Sequence, residues 1–121
     1  MTITLPVPPS ANRYWRHAKG RTYRSAAANA YRKLVQTVSG CRVATTPCSV
    51  TVVWYRAAKR GDLDNRLKVL FDALQGVAYT NDSLIVEIHA YRREDKSHPR
   101  MEVTVEELDP PIEYQDDGVM V

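Results

Sequence analysis

Residues 49–55, the segment Ser-Val-Thr-Val-Val-Trp-Tyr, constrain the fold of this chain most strongly. β-Branched and aromatic residues dominate the segment, which is typical of a β-strand. Its apolar side chains fall on both faces of an extended chain, so the strand is expected in the interior of a sheet. A helix is predicted shortly afterwards, over residues 63–75, because leucine and phenylalanine recur there at helical spacing before Gly76. A buried strand followed by an amphipathic helix indicates an α/β fold.

The other predicted elements complete a small α/β sandwich. The order β-α-β-α-β-β predicts a mixed sheet of about four strands packed with two helices. The last two strands are expected to form a hairpin, since the polar segment between them, residues 92–100, is too short for a crossover. The remaining strands are predicted at residues 2–5, 84–91 and 101–107, and the first helix at residues 25–39, with Ser25 as its N-cap and Gly40 as its stop.

A length of 121 residues and an apolar content of 44% fit a single globular domain with a modest core. Residues 1–108 are assigned to the folded domain, and residues 109–121, which are acidic and contain two prolines, to a flexible tail. No run approaches the ~20 apolar residues of a membrane span, and no signal peptide is recognised, so a cytoplasmic location is expected. Cys41 and Cys48 have no metal-ligand spacing and are expected to be reduced and structural.

The charge is distributed unevenly along the chain. Residues 1–61 contain eleven Lys or Arg and no Asp or Glu, whereas residues 62–121 contain six basic and fourteen acidic residues. A basic half of this size is the electrostatic footprint of a protein that binds a phosphate backbone. An ordinary solvated basic surface would give the same count, so the charge alone does not decide between the two interpretations.

Residues 10–24 are predicted to be a loop in which cations alternate with aromatic side chains. Arginine and lysine can contact phosphates, and exposed aromatic rings can stack on bases. The alternative is that Tyr14 and Trp15 anchor the core or a dimer interface. With the basic loop before the second helix included, the residues expected to contact nucleic acid are Asn12, Arg13, Tyr14, Arg16, His17, Lys19, Arg21, Arg24, Arg56, Lys59 and Arg60.

A cluster of charged residues surrounds the start of the second helix. Asp64 and Lys68 are four residues apart, so they lie on one helical face, and Asp62 immediately precedes the helix. Asp82 precedes the strand at residues 84–91, and it would reach the same sheet edge as Asp62 if that strand neighboured the interior strand. Two or three carboxylates and a phosphate satisfy Mg²⁺, which activates a bound water. Lys68 would then stabilise the pentacoordinate phosphorus or position the attacking water.

Ordinary structural roles remain open for the same residues. Asp62 or Asp64 could serve only as a helix N-cap, worth about 1 kcal/mol. Asp64, Lys68 and Asp72 could form two surface salt bridges, each worth about 0.3–0.5 kcal/mol. The chain would then be a non-catalytic nucleic-acid-binding module, and removal of metal would leave its activities unchanged. The histidines show no zinc pattern, and the sequence has no glycine-rich phosphate loop.

The tract Asp62-Leu63-Asp64-Asn65 with Lys68 does not stand alone in this sequence. It is accompanied by Ile3-Thr4-Leu5-Pro6, Pro8-Pro9-Ser10, Asn12-Arg13-Tyr14 with Arg16-His17, Gly20-Arg21-Thr22, Phe71-Asp72-Ala73-Leu74 and Asn81-Asp82. Together these motifs, which cover nearly the whole chain to about Glu107, resemble the RusA-type Holliday-junction resolvases, a family of small phage-derived endodeoxyribonucleases.

The resemblance implies a Mg²⁺-dependent homodimer, with Mn²⁺ as a substitute, that binds four-way DNA junctions and cuts two strands symmetrically in recombination and repair. Its catalytic, metal-binding aspartates would be Asp62, Asp64 and Asp82, and its catalytic lysine Lys68. Two equivalent sites in a two-fold dimer suit the two equivalent scissile phosphates of a symmetric junction. The acidic tail matches no motif of the family. A metal-dependent nuclease acting on RNA or on other branched DNA is the remaining alternative.

Overall fold

A mixed four-stranded sheet forms the centre of the molecule, as predicted, and a separate two-stranded ribbon lies beside it. The computed structural model describes residues 2–38, 43–58 and 61–108. Along the chain the elements are β1 (Thr2–Leu5), α1 (Ala11–Tyr14), β2 (Trp15–Ala18), β3 (Arg21–Arg24), α2 (Ala26–Gln36), β4 (Cys48–Arg56), α3 (Leu63–Ala73), a 3₁₀ turn (Asp82–Leu84), β5 (Ile85–Glu94) and β6 (Arg100–Glu107).

Strand β4 lies in the interior of the sheet, whose order is β1-β6-β4-β5. It pairs antiparallel with β6 and parallel with β5. Val50, Val52 and Trp54 are buried on one face of β4, in the same core cluster as Val35 of α2 and Leu70 of α3. The predicted interior strand is confirmed, and both long helices pack against this one face of the sheet.

The connection between β5 and β6 differs from the predicted hairpin. These strands lie on opposite sides of β4, so the prediction that residues 92–100 form a hairpin between paired neighbours is wrong. Antiparallel strands need no crossover, and a short loop can therefore pass across the end of an intervening strand. The Asp95 N–H donates to the Arg56 carbonyl oxygen at 3.0 Å, where the loop crosses the end of β4.

Residues 10–24 hold regular structure that the sequence analysis treated as a loop. After one turn of helix in α1, strands β2 and β3 form a hairpin whose registered pairs include Trp15 with Arg24 and Ala18 with Arg21. Lys19 and Gly20 have φ angles of 51° and 73°, and two consecutive positive φ values are the mark of a type I′ turn. The basic segment is therefore presented on a two-stranded ribbon.

Helix α2 begins where its sequence predicts. The Ser25 hydroxyl oxygen accepts from the Ala28 N–H at 3.1 Å, which confirms Ser25 as the N-cap. The helix ends at Gln36, and the predicted stop at Gly40 lies outside the described residues, as do Cys41 and the tail at residues 109–121. Cys48 is buried and has a free thiol. Among the described residues, no helix has both the length and the apolar character that crossing a membrane requires.

Candidate active site

Gly61 sets the direction in which the chain leaves β4 and enters α3. Its φ of 95° is a backbone conformation that residues with a side chain rarely adopt. A Cβ atom at this position would stand 3.0 Å from the Trp54 ring, which belongs to the core. The glycine therefore allows the chain to pass against the indole, and the turn delivers Asp62 to the start of the helix.

Asn65 and Arg66 hold the first turn of α3 in place through their side chains. The Asn65 side-chain oxygen accepts from the Ala11 N–H at 2.9 Å. The Arg66 guanidinium donates to the Pro8 carbonyl oxygen at 2.6 Å and lies 5.5 Å from the centroid of the Trp54 ring. Burial, together with the nearby charge of Arg13, lowers the pKa of Arg66. The helix start is thus fixed to α1 and to the proline segment.

Asp62, Asp64 and Lys68 are exposed on this fixed helix start. Asp62 occupies the N-cap position, but its side chain makes no capping hydrogen bond. Neither Asp64 nor Lys68 forms an ion pair with any described residue, so the salt-bridge alternative is not realised in this part of the chain. As far as the described part of the chain is concerned, the carboxylates and the amine are therefore available for a ligand.

The donor chemistry of Asp62 and Asp64 fits a hard cation such as Mg²⁺, which prefers carboxylate oxygens and retains several waters. Two carboxylates with a substrate phosphate are a sufficient set. Within the described residues of one chain, however, no group of three or more His, Cys, Asp or Glu side chains is placed to hold a metal ion. Asp82, the third predicted ligand, does not lie near Asp62 and Asp64 in one chain.

Asp82 lies at the opposite end of the sheet from Asp62, so the prediction that it reaches the same edge is wrong within one chain. Strands β4 and β5 are neighbours, as that prediction required, but they are parallel and Cys48 pairs with Ile85. Asp82 therefore lies near the beginning of β4, whereas Asp62 follows its end. A nine-residue strand spans about 26 Å between its terminal residues. Asp82 is exposed, and its N–H donates to the Gln75 side-chain oxygen at 3.1 Å.

Asp72 has a structural role that the sequence analysis missed. Its carboxylate accepts hydrogen bonds from the Tyr14 hydroxyl at 2.5 Å, from Arg24 at 2.9 and 3.0 Å, and from Arg32 at 3.0 Å. Burial raises the pKa of Asp72, but the hydrogen bonds from Arg24 and Tyr14 outweigh it and hold the pKa below its usual value. Its ion pairs are with Arg24 and Arg32, so among the described residues the surface salt bridge between Asp72 and Lys68 is not formed. The partners of Asp72 are distant in sequence, and no local signal pointed to them.

The predicted DNA-contacting residues fall into four groups. Tyr14 is fully buried, which fits the core alternative and leaves no ring surface for a base. Arg24 and Arg56 form ion pairs, with Asp72 at 2.9 Å and with Glu94 at 3.1 Å respectively. Lys59 and Arg60 lie outside the described residues. The exposed members are Asn12 and Arg13 on α1 and Arg16, His17, Lys19 and Arg21 on the ribbon.

Comparison with known proteins gives a consistent match over most of the chain. The family model described as endodeoxyribonuclease RusA matches residues 6–106. Crossover junction endodeoxyribonuclease RusA of Escherichia coli (strain K12) is 34% identical over 113 residues, which cover 88% of this chain and 94% of that protein. The protein of the same name from Enterobacteria phage 82 is 34% identical over 112 residues, covering 88% and 93%. The chain belongs to the RusA family of endodeoxyribonucleases.

Proposed function

We propose that this protein is a Mg²⁺-dependent endodeoxyribonuclease that resolves four-way (Holliday) DNA junctions by paired, symmetric cuts during recombination and repair. The observation that carries the proposal is the contrast among the acids of α3. Asp72 is enclosed by two arginines and a tyrosine, whereas Asp62 and Asp64 are exposed and have no described partner. A fixed helix start that presents exposed carboxylates is suited to binding a cation.

The chemistry divides between the metal and the side chains. When bound, Mg²⁺ polarises the scissile phosphate and lowers the pKa of water, and Mn²⁺ is expected to do the same. Asp62 and Asp64 hold the cation at the start of α3. Lys68 lies one helical turn after Asp64, and its amine stabilises the negative charge that develops on the phosphate oxygens or orients the attacking water. Asn65 and Arg66 keep these groups in position through their contacts with Ala11 and Pro8.

Substrate binding is assigned to α1 and the β2–β3 ribbon. The ribbon exposes Arg16, Lys19 and Arg21, and α1 exposes Arg13. Asn65 joins α1 to the helix that carries the proposed site, so the basic surface and the carboxylates are held in a fixed relation. Basic side chains supply the phosphate contacts that dominate DNA affinity. An enzyme with this substrate is expected to work in the cytoplasm.

A cleavage assay on a synthetic four-way junction tests this function. With Mg²⁺ or Mn²⁺, the protein is expected to cut two strands of like polarity at symmetric positions, and EDTA is expected to abolish cutting while leaving junction binding. Linear duplex of the same sequence, flap DNA and RNA serve as competitors. Binding with no cleavage under any metal condition would favour the non-catalytic module, and preferential cutting of RNA or flaps would overturn the assignment to junctions.

A further inference from the structure

We propose that the pocket at the end of β4 binds a phosphate of the DNA strand that is cut, next to the scissile phosphate. Three polar side chains line this pocket, those of Trp54, Arg56 and Arg66, and the remainder of its described lining, which includes Val7 and Pro99, is apolar. The proposal rests on the proposed nuclease function and deepens it, because it names a site that positions the substrate strand.

Two hydrogen-bond donors on the residues that line the pocket have no acceptor within the described part of the chain. Trp54 is only 3% exposed, and its indole Nε1–H has no partner there. The Nε–H of Arg56, whose side chain is 12% exposed, also lacks a partner. A buried donor without an acceptor is destabilising, and folded proteins rarely contain one. Two such donors at one pocket indicate that the acceptor comes from outside the chain.

The charges around the pocket favour an anion. Arg56 has one acidic partner, Glu94, whose carboxylate lies 3.1 Å from Nη2 and leaves Nε without a bond. Arg66 forms no ion pair with any described residue, and it is held by the Pro8 carbonyl oxygen and the ring of Trp54. Two guanidinium groups therefore have one carboxylate between them, which leaves an excess of positive charge at the pocket.

A phosphate group is the ligand that these side chains fit best. Tryptophan and arginine side chains donate hydrogen bonds and accept none, whereas the oxygens of a DNA phosphate only accept. A nucleobase fits less well, since its Watson–Crick edge also presents donors, for which the described side chains of the pocket offer no acceptor. The pocket volume of about 230 Å³ is below the ~300–1,000 Å³ typical of sites for larger ligands, and it suits a single phosphate group.

The pocket adjoins the turn that delivers Asp62 to α3. A Cβ atom at Gly61 would lie 3.0 Å from the Trp54 ring and 3.9 Å from Nη2 of Arg66, so both side chains stand against the residue that precedes Asp62. One DNA strand can therefore place a phosphate in the pocket and the next phosphate at the carboxylates. The phosphate in the pocket then fixes the position of the scissile one, which is how a remote contact assists the reaction.

The Trp54 indole provides a direct readout, which is measured in EDTA and hence without cleavage. The chain has two tryptophans, so a proton–nitrogen NMR spectrum contains two indole N–H signals, and Trp15→Phe assigns the one from Trp54. Thymidine bisphosphate, with a phosphate on each side of its sugar, should move the Trp54 signal downfield in a saturable way. Thymidine, or sodium chloride at the same ionic strength, should not. An equal response to thymidine would overturn the phosphate assignment in favour of a base, and no response to either compound would show that the pocket holds only water.

Junctions that carry a single neutral phosphate locate the contact. A methylphosphonate replaces one charged phosphate oxygen by a methyl group, and it can be placed in turn at each position that flanks the cut. At one of these positions it should weaken junction binding in EDTA by about tenfold for the wild type, and by clearly less for Trp54→Phe, which lacks the indole N–H. Equal effects on the two proteins at every position would overturn the proposal.

Arg56→Gln tests the same contact without altering the Trp54 ring. It should also reduce the sensitivity to that methylphosphonate, whereas Lys33→Gln, a matched loss of charge at an exposed residue of α2 outside the proposed DNA surface, should keep the wild-type response. Circular dichroism checks that each variant is folded, and the indole signal of the wild type decides the question if a variant is not. A wild-type protein whose indole responds to the bisphosphate but which never cuts junctions would contradict the proposed function and leave the phosphate site standing.

Discussion

Arg24 and Asp72 are joined by two parallel hydrogen bonds, from Nε to Oδ2 at 2.9 Å and from Nη2 to Oδ1 at 3.0 Å. This bidentate pair connects β3 of the basic ribbon to α3, the helix that presents Asp62 and Asp64. Arg32 of α2 donates both to the Asp72 carboxylate and to its backbone carbonyl oxygen. One carboxylate therefore fixes three elements, and through them the ribbon, relative to the proposed site.

Asp72→Asn is expected to destabilise the protein by about 2 kcal/mol, because the charge-assisted bonds to Arg24 and Arg32 are lost at a largely buried position. Urea unfolding measures the change. Asp64→Asn is the matched control, since it makes the same substitution at an exposed position of the same helix. It should alter the free energy of unfolding by less than about 0.5 kcal/mol. Equal unfolding midpoints for the two variants would contradict the anchoring role of Asp72.

The stabilisation by Asp72 is expected to depend on pH. Because its pKa is held below the ordinary value of 3.8, the ionised form is favoured in the folded protein. That contribution is fully present above the ordinary value and is lost as pH falls through the lower folded pKa. The difference in urea midpoint between wild type and Asp72→Asn should therefore be constant near neutrality and narrow in acid below pH 3.8. A difference in urea midpoint that increased on acidification would contradict the lowered pKa of Asp72.

Gly61→Ala should lower both stability and cleavage. The substitution combines a positive φ with a Cβ atom 3.0 Å from Trp54, and backbone strain alone costs about 1–3 kcal/mol. Gly20→Ala is the control, because its φ is also positive but nothing lies within 4 Å of the new Cβ atom. Thermal unfolding should show the larger loss for Gly61→Ala. A larger loss for Gly20→Ala would show that the Trp54 contact does not constrain this turn.

Arg13→Ala and Arg16→Ala should each weaken junction binding. Each lost phosphate contact is expected to reduce the slope of log K against log salt by about 1. Lys33→Ala removes the same charge from an exposed position in the last turn of α2, outside the proposed DNA surface, and should leave the slope unchanged. Titrations at several salt concentrations give both slopes. If the Arg13 and Lys33 variants behave alike, α1 does not contact DNA.

The elements that the sequence predicted well are those with a strong local period. β4 and α3 carry their apolar residues at strand and helix spacing, and the Ser25 cap acts through the Ala28 N–H three residues away. The ribbon was not predicted because its strands are largely polar and show no alternation of apolar and polar residues. Gly20, which readily adopts a positive φ, was the available signal for its turn.

The parts that could not be predicted depend on contacts between distant residues. The partners of Asp72 lie up to 58 residues away, so neither periodicity nor composition identifies them. Strand order is likewise a property of the whole sheet. The short segment between β5 and β6 predicts that these strands are neighbours, but β4 lies between them. Asp82 was assigned to the correct neighbouring strand but to the wrong end, because the direction of β5 relative to β4 decides where its first residue lies.

The measurement that tests the central claim most directly is junction cleavage by Asp64→Asn in Mg²⁺, with junction binding measured in parallel. Glu106→Gln, a matched loss of charge at an exposed residue of β6, is the control and should cut like wild type. Asp64→Asn is expected to bind the junction as tightly as wild type and to show no cleavage, because it removes a carboxylate that would hold the metal. Cleavage by Asp64→Asn at the wild-type rate would contradict an active site at the start of α3.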